Sequence, residues 1–258
     1  MNFMPLALNT LREAIRDKIL YVILLFAFLL MAFGILLRSL SLNQEIKIVM
    51  DLGLSSINIF GLILTVFIGT NLLNKEIDKK TIFLLLSKPL NRSDFILGKF
   101  LGLSMTLFII TISMAVAFYA VLGYSVGGGE GLMPILKSSS QALILSYLEM
   151  LVLTAFAIFF STFATPIMSA VFTMGIYVIG HMSNDILSFG QLSGQSSLRQ
   201  FTEALFYLLP DLERLNLKSQ LMTAPVPSEI LMGSLGYGLL YSLALLFLAM
   251  VIFESREF

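Results

Sequence analysis

Long uncharged apolar runs alternate with short polar segments along the whole chain. Ile19–Leu37, Leu52–Leu73, Phe100–Gly123 and Leu231–Phe253 each reach the roughly 18 to 20 residues that a helix needs to cross the hydrocarbon core of a bilayer. The stretch from Ala142 to Leu187 is too long for one crossing. Thr165-Pro166 divides it, because proline restricts the residue before it and has no N–H to donate. Two readings follow for that stretch: two spans, or one span and a re-entrant hairpin that would put the termini on opposite sides. The two-span reading gives spans at 19–37, 52–73, 100–123, 142–164, 166–187 and 231–253.

Ahead of the first run, Phe3, Leu6, Leu8, Leu11 and Ile15 fall on one helical face, with Arg12, Glu13, Arg16 and Asp17 on the rest. Residues 1–18 therefore predict an amphipathic helix lying in the membrane interface. The first run is longer than the apolar core of a signal peptide, and Arg38 follows without a small-residue cleavage pattern, so it is expected to remain as an anchor. Composition agrees with a membrane protein: 57% of residues are apolar and 12% charged, too little polar surface to cover a soluble domain. A net charge of zero speaks against a nucleic-acid partner. With no cysteine, disulfides and thiolate metal sites are excluded.

Cations set the orientation, since lysine and arginine near span ends favour the cytoplasm. Arg12, Arg16 and Lys18 precede the first span, and Lys75, Lys79, Lys80, Lys88, Arg92 and Lys99 lie between the second and third. Six spans then place both termini inside and a long loop, 188–230, outside. In that loop Leu198, Phe201, Leu205, Leu208, Leu212 and Leu215 recur at helical spacing, with Pro210 suited to a helix start or kink, which predicts a pair of short helices on the outer face. They would serve as an exit gate, as a docking site for an extracytoplasmic partner, or as a simple cap.

Residues 74–99 form a segment of their own. Asn74 can cap a short helix with Glu76 and Asp78 in its first turn and Lys88 at its end, stopped by Pro89. Asn91 or Ser93 can cap the next helix, with Asp94 in its first turn. The run Ile82-Phe-Leu-Leu-Leu86 is too apolar for a solvated loop and too short to span. An ordinary positive-inside loop explains the charges of this hairpin but not its apolar run or paired caps.

The pattern Glu76-x4-Thr81-Ile82-x2-Leu85-Leu86-Ser87-Lys88-Pro89-x2-Arg92-x2-Phe95-x2-Gly98-Lys99 resembles the first cytoplasmic loop of type-2 ABC exporter permeases. Phe206-Tyr-Leu-Leu-Pro-Asp-Leu-Glu-Arg-Leu-Asn-Leu217 is similar to a subgroup that includes permeases of nitrous-oxide-reductase maturation and gliding motility. The resemblance covers nearly the whole chain. It implies an all-α integral membrane fold of the inner membrane: six transmembrane helices, an N-terminal interfacial helix and a cytoplasmic coupling helix. It also implies a pair of permeases, identical or related, carrying two cytoplasmic ABC ATPase subunits docked on Glu76, Thr81, Ile82, Leu85, Leu86, Ser87, Lys88, Pro89 and Arg92. ATP and magnesium would be held by those subunits. This chain lacks the phosphate-cradling G-x-x-x-x-G-K-[ST]: Gly98-Lys99 is followed by Phe100, and Gly127-Gly128-Gly129 has no lysine after it.

Three ionisable groups interrupt the spans: Glu149, His181 and Asp185. At about 1.5 Å per residue, Glu149 and His181 lie at similar depth, roughly 10 Å below the outer surface, so the two could meet. His181 and Asp185 share a helix face at i, i+4. Such a cluster is either a substrate or proton site or a hydrogen-bonded structural element. The 14 methionines are scattered and read as core filling rather than soft-metal ligands. Gly98-x-x-x-Gly102, and Gly233, Gly236 and Gly238, permit close helix approach, which for the first pair is expected within one subunit. Two other functions compete with an ATP-driven exporter. A gradient-driven transporter would use Glu149, His181 and Asp185, although no internal repeat is visible; a membrane scaffold would pass force to an extracytoplasmic partner.

Overall fold

The computed structural model describes residues 3–38, 45–78, 92–126, 132–193, 195–217 and 225–255. The elements are α1 (Phe3–Arg16), α2 (Lys18–Arg38), α3 (Glu45–Asp78), α4 (Arg92–Val126), α5 (Leu132–Ser161), α6 (Pro166–His181), α7 (Ser183–Leu192), α8 (Ser196–Leu208), a 3-10 turn (Glu213–Leu215) and α9 (Ser228–Ser255). Among the described residues five helices, α2, α3, α4, α5 and α9, are long and apolar enough to cross a membrane, and α6 with α7 makes a sixth crossing if that bent pair is one span. Helices are the expected solution, since lipid offers the backbone no hydrogen-bond partner.

α5 and α3 are the interior helices: 78% and 67% of their most apolar stretches are buried, against 22% for α2 and 28% for α9. α5 packs on α3, α4, α6 and α9, and α3 packs on α2, α4, α5 and α6. α2, α3, α4 and α9 outrun the expected spans at both ends, whereas α5 starts earlier but stops at Ser161, short of 164. α3 and α4, of 34 and 35 residues, are about 50 Å long at ~1.5 Å per residue, well beyond a ~30 Å hydrocarbon core.

Three expectations are revised. Asn74 does not cap a new helix, because α3 runs unbroken from Glu45 to Asp78 through a stretch with neither proline nor glycine after Gly69. The helix expected through 166–187 is broken after His181, where the chain turns by 57° into α7, so that the stretch is a bent span or a re-entrant pair. Pro210 neither starts nor kinks a helix. It follows the end of α8, where Leu209 is extended, with φ −94° and ψ 154°, as the residue before a proline prefers.

α1 is amphipathic, but the face it presents to the protein is made of small residues. Leu6, Ala7, Thr10 and Ala14 are buried, whereas Leu8 is 43% exposed. The surface that receives them is on α4. A Cβ added to Gly102 would lie 2.6 Å from both the Ala7 carbonyl oxygen and Thr10 Cβ, and one added to Gly98 would lie 2.7 Å from Leu6. The two glycines thus pack within the subunit, against α1. Asp17 ends α1 and starts α2: its Oδ1 accepts from the Ile19 amide at 3.1 Å, an N-cap arrangement. Lys99, one residue after Gly98, is 1% exposed, with its Nζ 5.9 Å from the Phe95 ring centre. Phe95 in turn stacks on Phe253 of α9. This lysine is a core residue rather than a loop charge.

Replacing Gly102 by valine forces α1 away from α4. Overpacking of this kind costs about 1–3 kcal/mol, read as a lower thermal midpoint in detergent and faster proteolysis near residue 17, with Gly236→Val, where a Cβ would meet open space, left unchanged.

Candidate functional site

Glu149 sits on the interior helix α5, and His181 is the last residue of α6. His181 Nε2 lies 3.4 Å from Glu149 Oε1, with side chains 20% and 4% exposed respectively. On the other side of the ring, His181 Nδ1 is 3.0 Å from the Tyr177 carbonyl oxygen one turn earlier. A carbonyl can only accept, so Nδ1 is the donor and Nε2 is the atom turned to the carboxylate. The Tyr177 ring leans on the imidazole, centre to centre 4.5 Å. The two side chains therefore meet between α5 and α6.

Asp185 does not join it. The bend at Met182 breaks the i, i+4 relation, and Asp185 is exposed on α7. What lies beside the pair is Asn58 of α3, which lines a narrow gap together with Leu62, Ser146, Glu149, Met150 and Leu153. Asn58 is 7% exposed, and its Oδ1 has no partner among the described residues. An uncharged asparagine inside an apolar run gives no signal in a search for charges. The available clue is that Asn58, Gly61, Thr65 and Gly69 share one face of a helix, the face that meets α5, where a Cβ at Gly69 would lie 3.0 Å from Ala157.

Next to the pair a clamp, residues 208–217, runs from the last residue of α8 through irregular backbone and the 3-10 turn. Leu212 is fully buried, and a Cβ at Gly180 would lie 2.7 Å from its side chain and 2.9 Å from the Pro210 carbonyl oxygen. The Gly180 carbonyl accepts from the Leu212 amide at 3.0 Å and from Ser183 Oγ at 3.1 Å. These bonds occupy a helical acceptor where α6 gives way to α7. Asp211 Oδ1 accepts from Ser183 Oγ at 3.1 Å and from the Arg214 amide at 3.3 Å. α9 holds the clamp from the other side: Tyr237 OH accepts from the Asp211 amide at 2.8 Å, Tyr241 OH donates to the Leu208 carbonyl, and Ser234 Oγ donates to the Arg214 carbonyl. Arg214 also lies over the Tyr237 ring, 5.4 Å from its centre.

Of the pair of short helices expected along 198–215, the first is α8, packed on α7 where Gly190 meets Thr202; the second gives way to the clamp with its 3-10 turn. Of the apolar series, Leu212 and Leu215 are buried in the clamp, while Phe201 and Leu208 on α8 are exposed. A second anchor was also not apparent from sequence. Gln141 of α5 donates to the Val226 carbonyl and accepts from the Val226 amide, each at 3.0 Å. Val226 lies between Pro225 and Pro227, which have no N–H of their own.

Thr81, Ile82, Leu85, Leu86, Ser87, Lys88 and Pro89 lie outside the described residues. Glu76 falls in the last turns of α3, and Arg92 opens α4.

The sequence model of the family described as ABC-2 family transporter protein matches residues 4–258. No curated protein matches the chain.

Gly180→Val should unseat the clamp, because the added carbons meet a backbone oxygen as well as Leu212. A loss of about 1–3 kcal/mol is expected as a lower thermal midpoint, with new proteolytic cleavage confined to 208–217.

Proposed function

The chain belongs to the ABC-2 transporter family, and from that premise we propose that it is the permease of an ATP-driven exporter whose ATP is hydrolysed on two separate cytoplasmic ATPase subunits. Membership makes it a membrane-embedded ABC transporter subunit. The finer reading comprises six spans with both termini in the cytoplasm, an inner-membrane location, and a second permease, identical or related. The observation that carries it is the extent of the family match, which takes in every element from α1 to α9.

Physical features support the same reading. α3 and α4 overrun the bilayer and flank the segment that carries Lys79, Lys80 and Lys88, the cation excess of a cytoplasmic loop. In this reading Glu76, Thr81, Ile82, Leu85, Leu86, Ser87, Lys88, Pro89 and Arg92 dock the ATPase. The two gaps between α3, α4 and α5 are too narrow for a water molecule. Substrate then passes along the outer surface of one permease against the other. The clamp and the α7–α8 pair face the extracytoplasmic side, where an accessory protein would dock.

Extraction in mild detergent should recover a stoichiometric ATPase with the chain. The double variant Pro89→Ala, Arg92→Glu should weaken its retention roughly tenfold, the size of one anchoring charged contact, with the thermal midpoint of the spans unchanged. Recovery of the chain alone, or full retention and an unaltered ATPase rate in the double variant, would overturn the assignment.

A further inference from the structure

We infer that Glu149, His181 and Asn58 form a proton-binding site that decides whether α5 is tied to α6 or to α3. The proton count follows from the hydrogen bonds. His181 Nδ1 keeps its proton, because its partner is the Tyr177 carbonyl. Nε2 is therefore the atom that titrates, facing Glu149 Oε1 at 3.4 Å. With one further proton in the site, the pair is either imidazolium with carboxylate or imidazole with carboxylic acid. Both forms are neutral overall and attract, which suits a pair placed among apolar helices. In this state α5 is held to α6.

A second proton changes the partner. Glu149 becomes a carboxylic acid and His181 an imidazolium, so the ion-pair attraction between them is lost and the acid gains an O–H to donate elsewhere. The acid proton has an acceptor in the gap that Glu149 already lines: Asn58 Oδ1, buried and without a partner among the described residues. A carboxylate cannot donate to that oxygen; a carboxylic acid can. Protonation thus turns Glu149 from His181 on α6 to Asn58 on α3. The step balances: the Nε2–H bond breaks as an O–H bond forms on Glu149, and Nε2 is then reprotonated from water. The exposures suit this order, since the His181 side chain is 20% exposed and that of Glu149 only 4%. His181 is the entry and Glu149 the buried end.

The effect reaches the clamp because α6 is its seat. Leu212 rests on Gly180, next to His181, and Asp211 is bonded to Ser183 two residues beyond it. Releasing the α5–α6 tie frees the seat, so acid loosens the clamp. Other titratable or charged groups on the surrounding elements are Tyr177 on α6, Asp185 on α7, Asp211, Glu213 and Arg214 in the clamp, Glu229, Tyr237 and Tyr241 on α9, Lys137 and Tyr147 on α5, and Asp51 on α3. Of the carboxylates, Asp211 bonds Ser183 directly and is therefore the control position.

The chain has no cysteine, so a single introduced thiol reports alone. The full chain in lipid nanodiscs, without nucleotide, would carry Leu212→Cys in the clamp or, as control, Leu192→Cys at a largely exposed position. The readout is the ratio of their rates of modification by a thiol reagent. Lowering the pH from about 8 to about 5, across the imidazole range, should raise that ratio about tenfold. Glu149→Gln should give a high ratio at both pH values. Asn58→Leu should move the transition to lower pH, because the protonated acid loses its acceptor. Asp211→Asn should keep the transition. Infrared difference spectra between the two pH values provide a second readout that needs no thiol: a carboxylic acid band should form in acid and be missing in Glu149→Gln. A ratio that does not change with pH, a Glu149→Gln profile that follows the parent, or an acid band that survives Glu149→Gln would overturn the inference. No ATPase enters the experiment, so its failure is distinct from failure of the permease assignment, which fixes only the side of the membrane supplying the proton.

Discussion

The interior position of α5 sets the terms for much of the bundle. A helix surrounded by four others cannot turn its polar side chains to water, and hydrocarbon offers them nothing in return. Each must find a partner in its own backbone or on a neighbour. Ser139, Thr154 and Ser161 take the first route, donating to carbonyls one turn back at 2.7 Å. Gln141, Tyr147 and Glu149 take the second, reaching Val226, the Ser104 carbonyl of α4 and His181 respectively. Three long polar side chains along two turns thereby tie α5 to the lead-in of α9, to α4 and to α6. The apolar contacts could tolerate small shifts in register; these directional ones favour a single register.

The same logic accounts for the bend between α6 and α7. The clamp has irregular backbone whose donors and acceptors must be met close to the membrane. Its partners come from the end of α6, through the Gly180 carbonyl and Ser183, and from the hydroxyls of α9. Glycine at 180 lets the clamp backbone approach closely enough for this, since Pro210 O lies 2.9 Å from where a Cβ would be. A straight helix through residue 187 would keep the Gly180 carbonyl for its own ladder. The bend is thus the counterpart of an irregular segment seated on a helix, and it carries Asp185 away from the polar pair.

Much of the helical content was legible from the apolar runs, and so was the meeting of Glu149 with His181, because both follow from one-dimensional quantities: hydropathy along the chain and depth at a fixed rise per residue. Three other features depend on three-dimensional complementarity. The face of α1 that packs is Leu6 with Ala7, Thr10 and Ala14; a hydrophobic count finds Leu6 but passes over the three small residues in favour of Leu8, because fit to Gly98 and Gly102 outweighs apolar area there. Asn58 and Gln141 carry no charge and are masked by apolar neighbours. Pro210 is a breaker in either reading, and only its seat against Gly180 of α6 shows that it belongs to a clamp rather than to a helix start.

Taken together, the contacts make a continuous packed route between the two ends of the bundle. α4 begins at Arg92, beside the lysine-rich segment, and carries α1 on Gly98 and Gly102. It meets α5 through Tyr147 and Ser104, α5 meets α6 through Glu149 and His181, and α6 seats the clamp. The other three junctions are interdigitated or hydrogen-bonded, and where a titratable group takes part, Tyr147 on Ser104 and Asp211 on Ser183, its partner is uncharged. The Glu149–His181 junction alone joins two ionisable side chains, at 3.4 Å, longer than the 2.7–2.9 Å typical of a tight charge-assisted bond. A displacement entering at α4 is passed on rigidly as far as α5, and the next step is the one whose strength depends on proton occupancy. That places the adjustable element of the route one helix away from the clamp, rather than at the end where α4 begins.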